Sequence, residues 1–88
     1  MEKKWNERAW TDYLYWQEHD RKNLRKINRL LDDIERNGER VGIGHPEPLK
    51  GNLAGLWSRH IDQEHRLVYR VKDGILEIMV CRTHYEDR

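Results

Sequence analysis

The chain has one cysteine, two prolines and no apolar run longer than the four residues of "IMVC". A lone Cys81 excludes an internal disulfide framework and any cysteine-rich zinc site, as suits a reducing compartment. Lying in an apolar run, it reads as a core thiol. Four apolar residues fall far short of a membrane span, and the opening "MEKKWNERAW" lacks the apolar stretch of a signal peptide. A soluble, cytoplasmic protein with no membrane role is therefore expected. An excess of one charge is missing too: 17 Lys and Arg stand against 16 Asp and Glu, for a net charge of +1. Bulk charge then argues for no partner, and any polyanion binding must come from local clustering. Repeats, low-complexity segments and internal linkers are likewise absent.

What is present fits one domain over residues 1–88, whose limited core buries about 60 to 65% of the unfolded surface. A charged fraction of 38% beside 36% hydrophobic residues approaches the composition of disordered chains. Four Trp, four Tyr and clear apolar periodicity favour a folded domain.

Asn6 can cap a helix over roughly Glu7 to Glu18, with Ala9, Trp10, Tyr13, Leu14 and Trp16 near helical spacing. Asp20 can cap a second helix with a stripe of Leu24, Ile27, Leu30, Leu31 and Ile34, stopped at Asn37-Gly38. Residues 38 to 55 hold five of the six glycines and both prolines, a long loop of a kind uncommon unless it has a task. After it, "LWSRHI", "HRLVYRV" and "ILEIMVCR" read as strands, the last two joined by Asp73-Gly74. A brief leading strand at Lys3–Trp5 is possible. The expected fold is α+β, with two N-terminal helices packed on a mostly antiparallel sheet.

Two features break local rules. Arg21, Lys22, Arg25, Lys26 and Arg29 crowd the N-terminal half of the second helix, against the helix dipole and with like charges four apart. Such a run is either a solvated face or a phosphate-binding surface. In "HPEPLKGN", residues 45 to 52, Pro46 and Pro48 push His45 and Glu47 towards extended geometry, so Glu47 is held stiffly.

Five histidines, at 19, 45, 60, 65 and 84, raise a metal question, but His60 and His65 lack a helical ligand spacing and a cysteine pair. No metal and no cofactor are expected. Ser58 lies within a strand instead of on a nucleophile elbow, and no glycine loop precedes a helix to cradle phosphates. Acid–base chemistry remains. Glu47, Arg59, Arg66 and the terminal Thr83-His84-Tyr85 match the needs of phosphodiester cleavage in RNA: a base for the 2′-hydroxyl, a cation for the phosphate and an acid for the departing 5′-oxygen.

Read in order from "WTDYLYWQ" at 10–17 through "HPEPLKGN", "LWSRHI" and "EHRLVYRV" to "CRTHY", the chain from Trp5 to Tyr85 resembles the YoeB/Txe toxins of the RelE superfamily. The resemblance implies a RelE-like fold and a ribosome-dependent endoribonuclease that cleaves mRNA in the decoding site. It also implies neutralisation by a cognate YefM/Axe-like antitoxin, a homodimer, and contact with operator DNA only through the antitoxin. Carried residue by residue, it makes Glu47 the general base, Arg66 the phosphate ligand and His84 the general acid. Tyr85 would stack on or orient a base, Lys50 and Arg59 would add positive charge, and the basic half of the second helix would meet ribosomal RNA. His45 departs from the lysine frequent in relatives, Thr83 departs from a frequent tyrosine, and Glu86-Asp87-Arg88 follow the usual terminal residue. Alternatives on the same fold are a non-catalytic inhibitor of the gyrase-poisoning kind and an antitoxin-dependent co-repressor. Glu47, Arg66 and His84 argue against the first, because a binder needs neither acid nor base. No helix-turn-helix signature supports independent DNA binding.

Strand parity sets a structural condition. A regular two-residue hairpin at Asp73-Gly74 would put Arg66 on a face with Thr83 and Tyr85 and turn His84 to the other face. A three-residue connection, or a break in alternation just before His84, would let Arg66 and His84 reach one phosphate. One of these two is expected, and otherwise Arg59 is the better phosphate ligand.

Overall fold

A computed structural model describes residues 1–82. Strand β1 (Glu2–Trp5) leads into helix α1 (Glu7–His19) and helix α2 (Arg21–Asn37), followed by β2 (Glu47–Pro48), a 3-10 turn (Gly51–Leu53), β3 (Trp57–His60), β4 (Arg66–Lys72) and β5 (Ile75–Val80). The five strands form one sheet in the order β1-β5-β4-β3-β2, antiparallel except for the parallel β1–β5 pair. The expected α+β architecture is present. Among the described residues no helix is long and apolar enough to cross a membrane.

Local chemistry accounts for the helix limits. The Asn6 side chain accepts from Ala9 N at 2.8 Å, and Asp20 accepts from Asn23 N at 3.1 Å, each closing an orphaned N–H of a first turn. Gly38 ends α2 with φ +90°, a conformation that glycine adopts without a Cβ penalty. On α1 only Ala9 and Trp16 of the expected stripe are buried, while Trp10 and Leu14 stand 46% and 42% exposed. Trp10 instead lies against Trp5 and Tyr13, which are partly buried and pack on the core. The α2 stripe fares better, since Ile27, Leu30, Leu31 and Ile34 are all buried.

These helices cover one face of the sheet. Leu67 and Tyr69 of β4, Leu76 and Ile78 of β5, and Cys81 beyond it complete the core with them. At the end of β5, the indole of Trp16 donates to Cys81 O at 2.7 Å and Asp12 Oδ2 accepts from Cys81 N at 3.1 Å. Burial pushes the Cys81 thiol up to about 12, so it is an inert part of the core.

The turn between β4 and β5 is the two-residue Asp73-Gly74, both at positive φ, with Lys72 opposite Ile75. The three-residue alternative is therefore excluded. Alternation breaks nonetheless: Tyr69 pairs with Ile78 but Val68 pairs with Val80, which leaves Met79 as the extra residue of a bulge. The bulge is what allows Ile78 and Cys81, three positions apart, both to face the core.

Candidate active site

Register assigns the faces. Glu47 lies opposite Ser58, Ser58 opposite Val68, and Val68 opposite Val80, so these four side chains form a row on the sheet face that carries no helix. His60 and its partner Arg66 belong to the same face by the two-residue period. Two of the three residues expected to act on the phosphate, Glu47 and Arg66, are thus brought to one surface. His84 and Tyr85 lie outside the described residues. The bulge at Met79 breaks alternation five residues before His84, and the break expected just before His84 falls outside the described residues.

The loop before Glu47 is built tightly. Gly44 O accepts from His60 N at 2.7 Å, and a Cβ on Gly44 would meet Leu30 Cδ2 at 2.7 Å. His45 was expected to be extended because Pro46 follows it, yet its φ is +61°. The chain turns there from the hydrogen bond at Gly44 into β2, and an L-residue in the left-handed region marks strain of a kind that clusters at functional sites. The His45 ring packs edge-on against His60, with centroids 5.8 Å apart. His60 Nε2 in turn lies 3.7 Å from Glu47 Oε1. In the sequence His60 raises only the metal question, because β2 is two residues long and its pairing with β3 carries no periodic signal.

Arg66 is fixed by the β3–β4 connection. Its Nη1 donates to the carbonyls of Asp62, Gln63 and His65 at 3.0, 3.3 and 3.1 Å. Asp62 shapes that turn, accepting from Glu64 N, His65 N and Asn23 Nδ2 at 2.8, 2.6 and 2.9 Å. Burial alone would raise the Asp62 pKa, but these donors outweigh it and hold the carboxyl below its ordinary value.

Arg59 requires a correction. Its side chain is fully buried on the opposite, helix-covered face. Nε donates to the Tyr69 hydroxyl at 2.8 Å, Nη1 to Asp33 Oδ2 and Ile43 O at 2.6 and 3.0 Å, and Nη2 to Gly38 O and Val41 O, both at 2.9 Å. All five of its N–H donors are occupied, so it cannot present charge to RNA. Its task is to clip the 38–43 loop to the sheet, and the Arg59 guanidinium holds the Asp33 carboxyl below its usual value. A Cβ on Gly42 would lie 1.8 Å from Asp33 Oδ2, which is why that loop needs glycine there.

Lys50 is exposed at the start of the 3-10 turn. Of the basic group on α2, Arg21, Lys22, Arg25 and Arg29 are exposed and Lys26 is half-buried. None of the five forms an ion pair among the described residues. Lys26 joins His45, His60 and Asp62 in lining an open cleft of about 450 Å³.

Comparison with known proteins identifies the family. The profile of the family described as YoeB-like toxin of bacterial type II toxin-antitoxin system matches residues 5–85. Toxin YoeB of Escherichia coli strain K12 is 56% identical over 81 residues, covering 92% of this chain and 95% of that one. Toxin YoeB of Streptomyces coelicolor is 53% identical over 77 residues, covering 88% and 90%. Among solved structures, a YoeB/ParE toxin from Agrobacterium tumefaciens superposes with a TM-score of 0.92 at 46% identity, covering 97% of this chain and all of that one. The toxin of a heterotetrameric YoeB–YefM complex from Staphylococcus aureus gives 0.91 at 48% identity, covering 97% and 98%. YafQ of E. coli shares the fold, with a TM-score of 0.78 at 19% identity and coverage of 94% and 92%. The chain belongs to the YoeB-like toxins of bacterial type II toxin–antitoxin systems, on a RelE-superfamily fold.

Proposed function

We propose that this chain is a ribosome-dependent endoribonuclease that cuts mRNA in the A site and so inhibits translation. The observation that carries the reading is the strand register that gives Glu47 and Arg66 one helix-free face. Glu47 accepts the proton of a 2′-hydroxyl, whose oxygen attacks the adjoining phosphorus as the bond to the 5′-oxygen breaks. Arg66 holds the charge that builds on the phosphate, and its anchoring on three carbonyls fixes it in place before substrate arrives. His84 gives a proton to the departing 5′-oxygen. The products are a 2′,3′-cyclic or 3′-phosphate and a 5′-hydroxyl end.

Lys50 and Tyr85 complete the substrate site, the lysine by charge and the tyrosine by stacking. The cations of α2, unpaired among the described residues, meet ribosomal RNA. A cognate YefM-like antitoxin neutralises the chain and brings it to operator DNA, and the free toxin is a homodimer. Solved relatives from S. aureus include a YoeB–YefM complex and a YoeB dimer.

Single-turnover cleavage on programmed ribosomes tests the assignment. Glu47→Ala or His84→Ala should slow the bound complex by about 10² to 10⁴, the range for one general acid or base, with ribosome affinity nearly unchanged. The double variant should lose less than the product of the two, since both groups act in one step. Weaker binding with an unaltered bound rate would refute the roles of Glu47 and His84.

A further inference from the structure

Strand β4 carries a second arginine on the helix-free face. By the two-residue period Arg66, Val68, Arg70 and Lys72 all point to that side, and Val68, only 2% exposed, is buried between the two arginines. The row of Glu47, Ser58, Val68 and Val80 therefore has Arg66 along one flank and Arg70 along the other, their Cα atoms about 13 Å apart at the usual rise of a strand. The two are held alike. Arg66 is anchored through Nη1 on three carbonyls and Arg70 through Nε on Glu77 Oε1, so among the described residues each keeps part of its fork unengaged.

Positive charge continues behind Arg70. Lys4 of β1, opposite Glu77 in the ladder, brings Nζ to 3.9 Å from Glu77 Oε2, and Lys72 lines the same open hollow of about 230 Å³. The bond from Arg70, with the charges of Arg70, Lys4 and Lys72 behind it, holds the Glu77 carboxyl below its usual value. Asp73 is the other acid in the lining, so three cations face two carboxylates and the hollow keeps a net positive charge. A bridge that served stability alone would need one cation for Glu77, and exposed pairs of this kind contribute little.

We propose that Arg70 is a second phosphate-binding residue, backed by Lys4 and Lys72, that takes a backbone phosphate of the message away from the one being cut. The inference rests on mRNA being the substrate, as proposed above, and adds where the strand runs beyond the scissile bond. A guanidinium offers a phosphate two parallel hydrogen bonds, and the Glu77 anchor fixes its direction before the strand arrives. A phosphate of ribosomal RNA has the same chemistry, so the two sources are separated by modifying the message alone.

Binding is read on ribosomes programmed with a message that carries a 2′-deoxy nucleotide before the scissile phosphate, so that no cleavage intervenes. Arg70→Gln should weaken association about tenfold, the effect of one charge-assisted hydrogen bond. A single uncharged methylphosphonate linkage is then moved along the message on both sides of the scissile phosphate. At one position it should weaken wild type about tenfold and leave Arg70→Gln unaffected, the signature of two groups in contact. Independent effects at every position would overturn the proposal and place Arg70 on ribosomal RNA or on none. Glu77→Gln tests the structural alternative, because it removes the charge of the same bridge yet should bind at least as tightly as wild type once a negative charge beside the phosphate is gone. A loss in Glu77→Gln equal to that in Arg70→Gln would overturn the proposal and reduce both to a tie between β4 and β5. A wild-type chain that shows the coupling but leaves an unmodified message uncut would refute the nuclease reading and keep the subsite.

Discussion

Arg59 and Arg66 sit seven residues apart in the sequence, one strand away from each other, and face opposite sides of the sheet. That difference decides what each can do. Arg66 uses only Nη1 on the β3–β4 turn among the described residues, so the rest of its fork remains for a phosphate. Arg59 has every donor engaged, and its removal would leave Asp33, the Tyr69 hydroxyl and three loop carbonyls without their partner. Breaking a buried pair in this way costs about 3–5 kcal/mol. Arg59→Ala should therefore lower the urea midpoint by that stability, whereas Arg66→Ala should cost less than about 1 kcal/mol and abolish cleavage instead. Equal stability loss in the two variants would contradict the division of labour. Arg59→Lys should behave like the alanine variant, because a point charge cannot satisfy a planar fork of five donors.

At the level of elements, α2 has two unlike halves. Its buried stripe of Ile27, Leu30, Leu31 and Ile34 runs against the sheet, while Arg21, Lys22, Arg25 and Arg29 project outward without acidic partners among the described residues. A helix keeps like charges at spacing four only at a cost of a few tenths of a kcal/mol per pair, so a partner of opposite charge is the economical explanation. Reversing Arg25 and Arg29 to Glu should weaken ribosome association and reduce the slope of log affinity against log salt by about two, near one unit per lost phosphate contact. An unchanged slope would return this face to solvent. The α2 stripe and both caps were legible in the sequence because each rests on contacts three or four residues apart. Strand β2 and the bulge at Met79 were not, since their pairing depends on residues far away in the chain. The Asp73-Gly74 turn was read correctly as a turn, but only the demand that Ile78 and Cys81 share the core shows where parity must break.

Across the whole molecule, the same physics explains why Arg59 lies away from the site that its strand position suggests. One sequence can show that an arginine lies on a strand, but its face depends on register, and its burial depends on a loop folding back over it from residues 38 to 43. The clip that results joins α2 through Asp33, the loop through three carbonyls and the sheet through Tyr69, whose own hydroxyl donates to Glu39 O at 2.7 Å. Several carboxylates share this structural duty. Asp33 is lowered by its bond from Arg59, Glu35 by the N-terminal amine and Lys3, Glu77 by Arg70, and Asp62 by the turn donors that outweigh its burial. A carboxyl whose folded pKa lies below its unfolded value contributes stability that is fully present above the unfolded range and is lost as pH falls through the folded one. Unfolded Asp and Glu titrate near ~3.9 and ~4.3, so the urea midpoint should hold steady down to about pH 5 and then fall progressively below about pH 4. Asp33→Asn should be less stable at neutral pH and show a shallower decline in acid, because one of the depressed groups has been removed. A midpoint that stays level between about pH 5 and 3 in the parent chain would show that these ion pairs contribute no net stability, leaving the helix stripe and the sheet face to hold the fold without them.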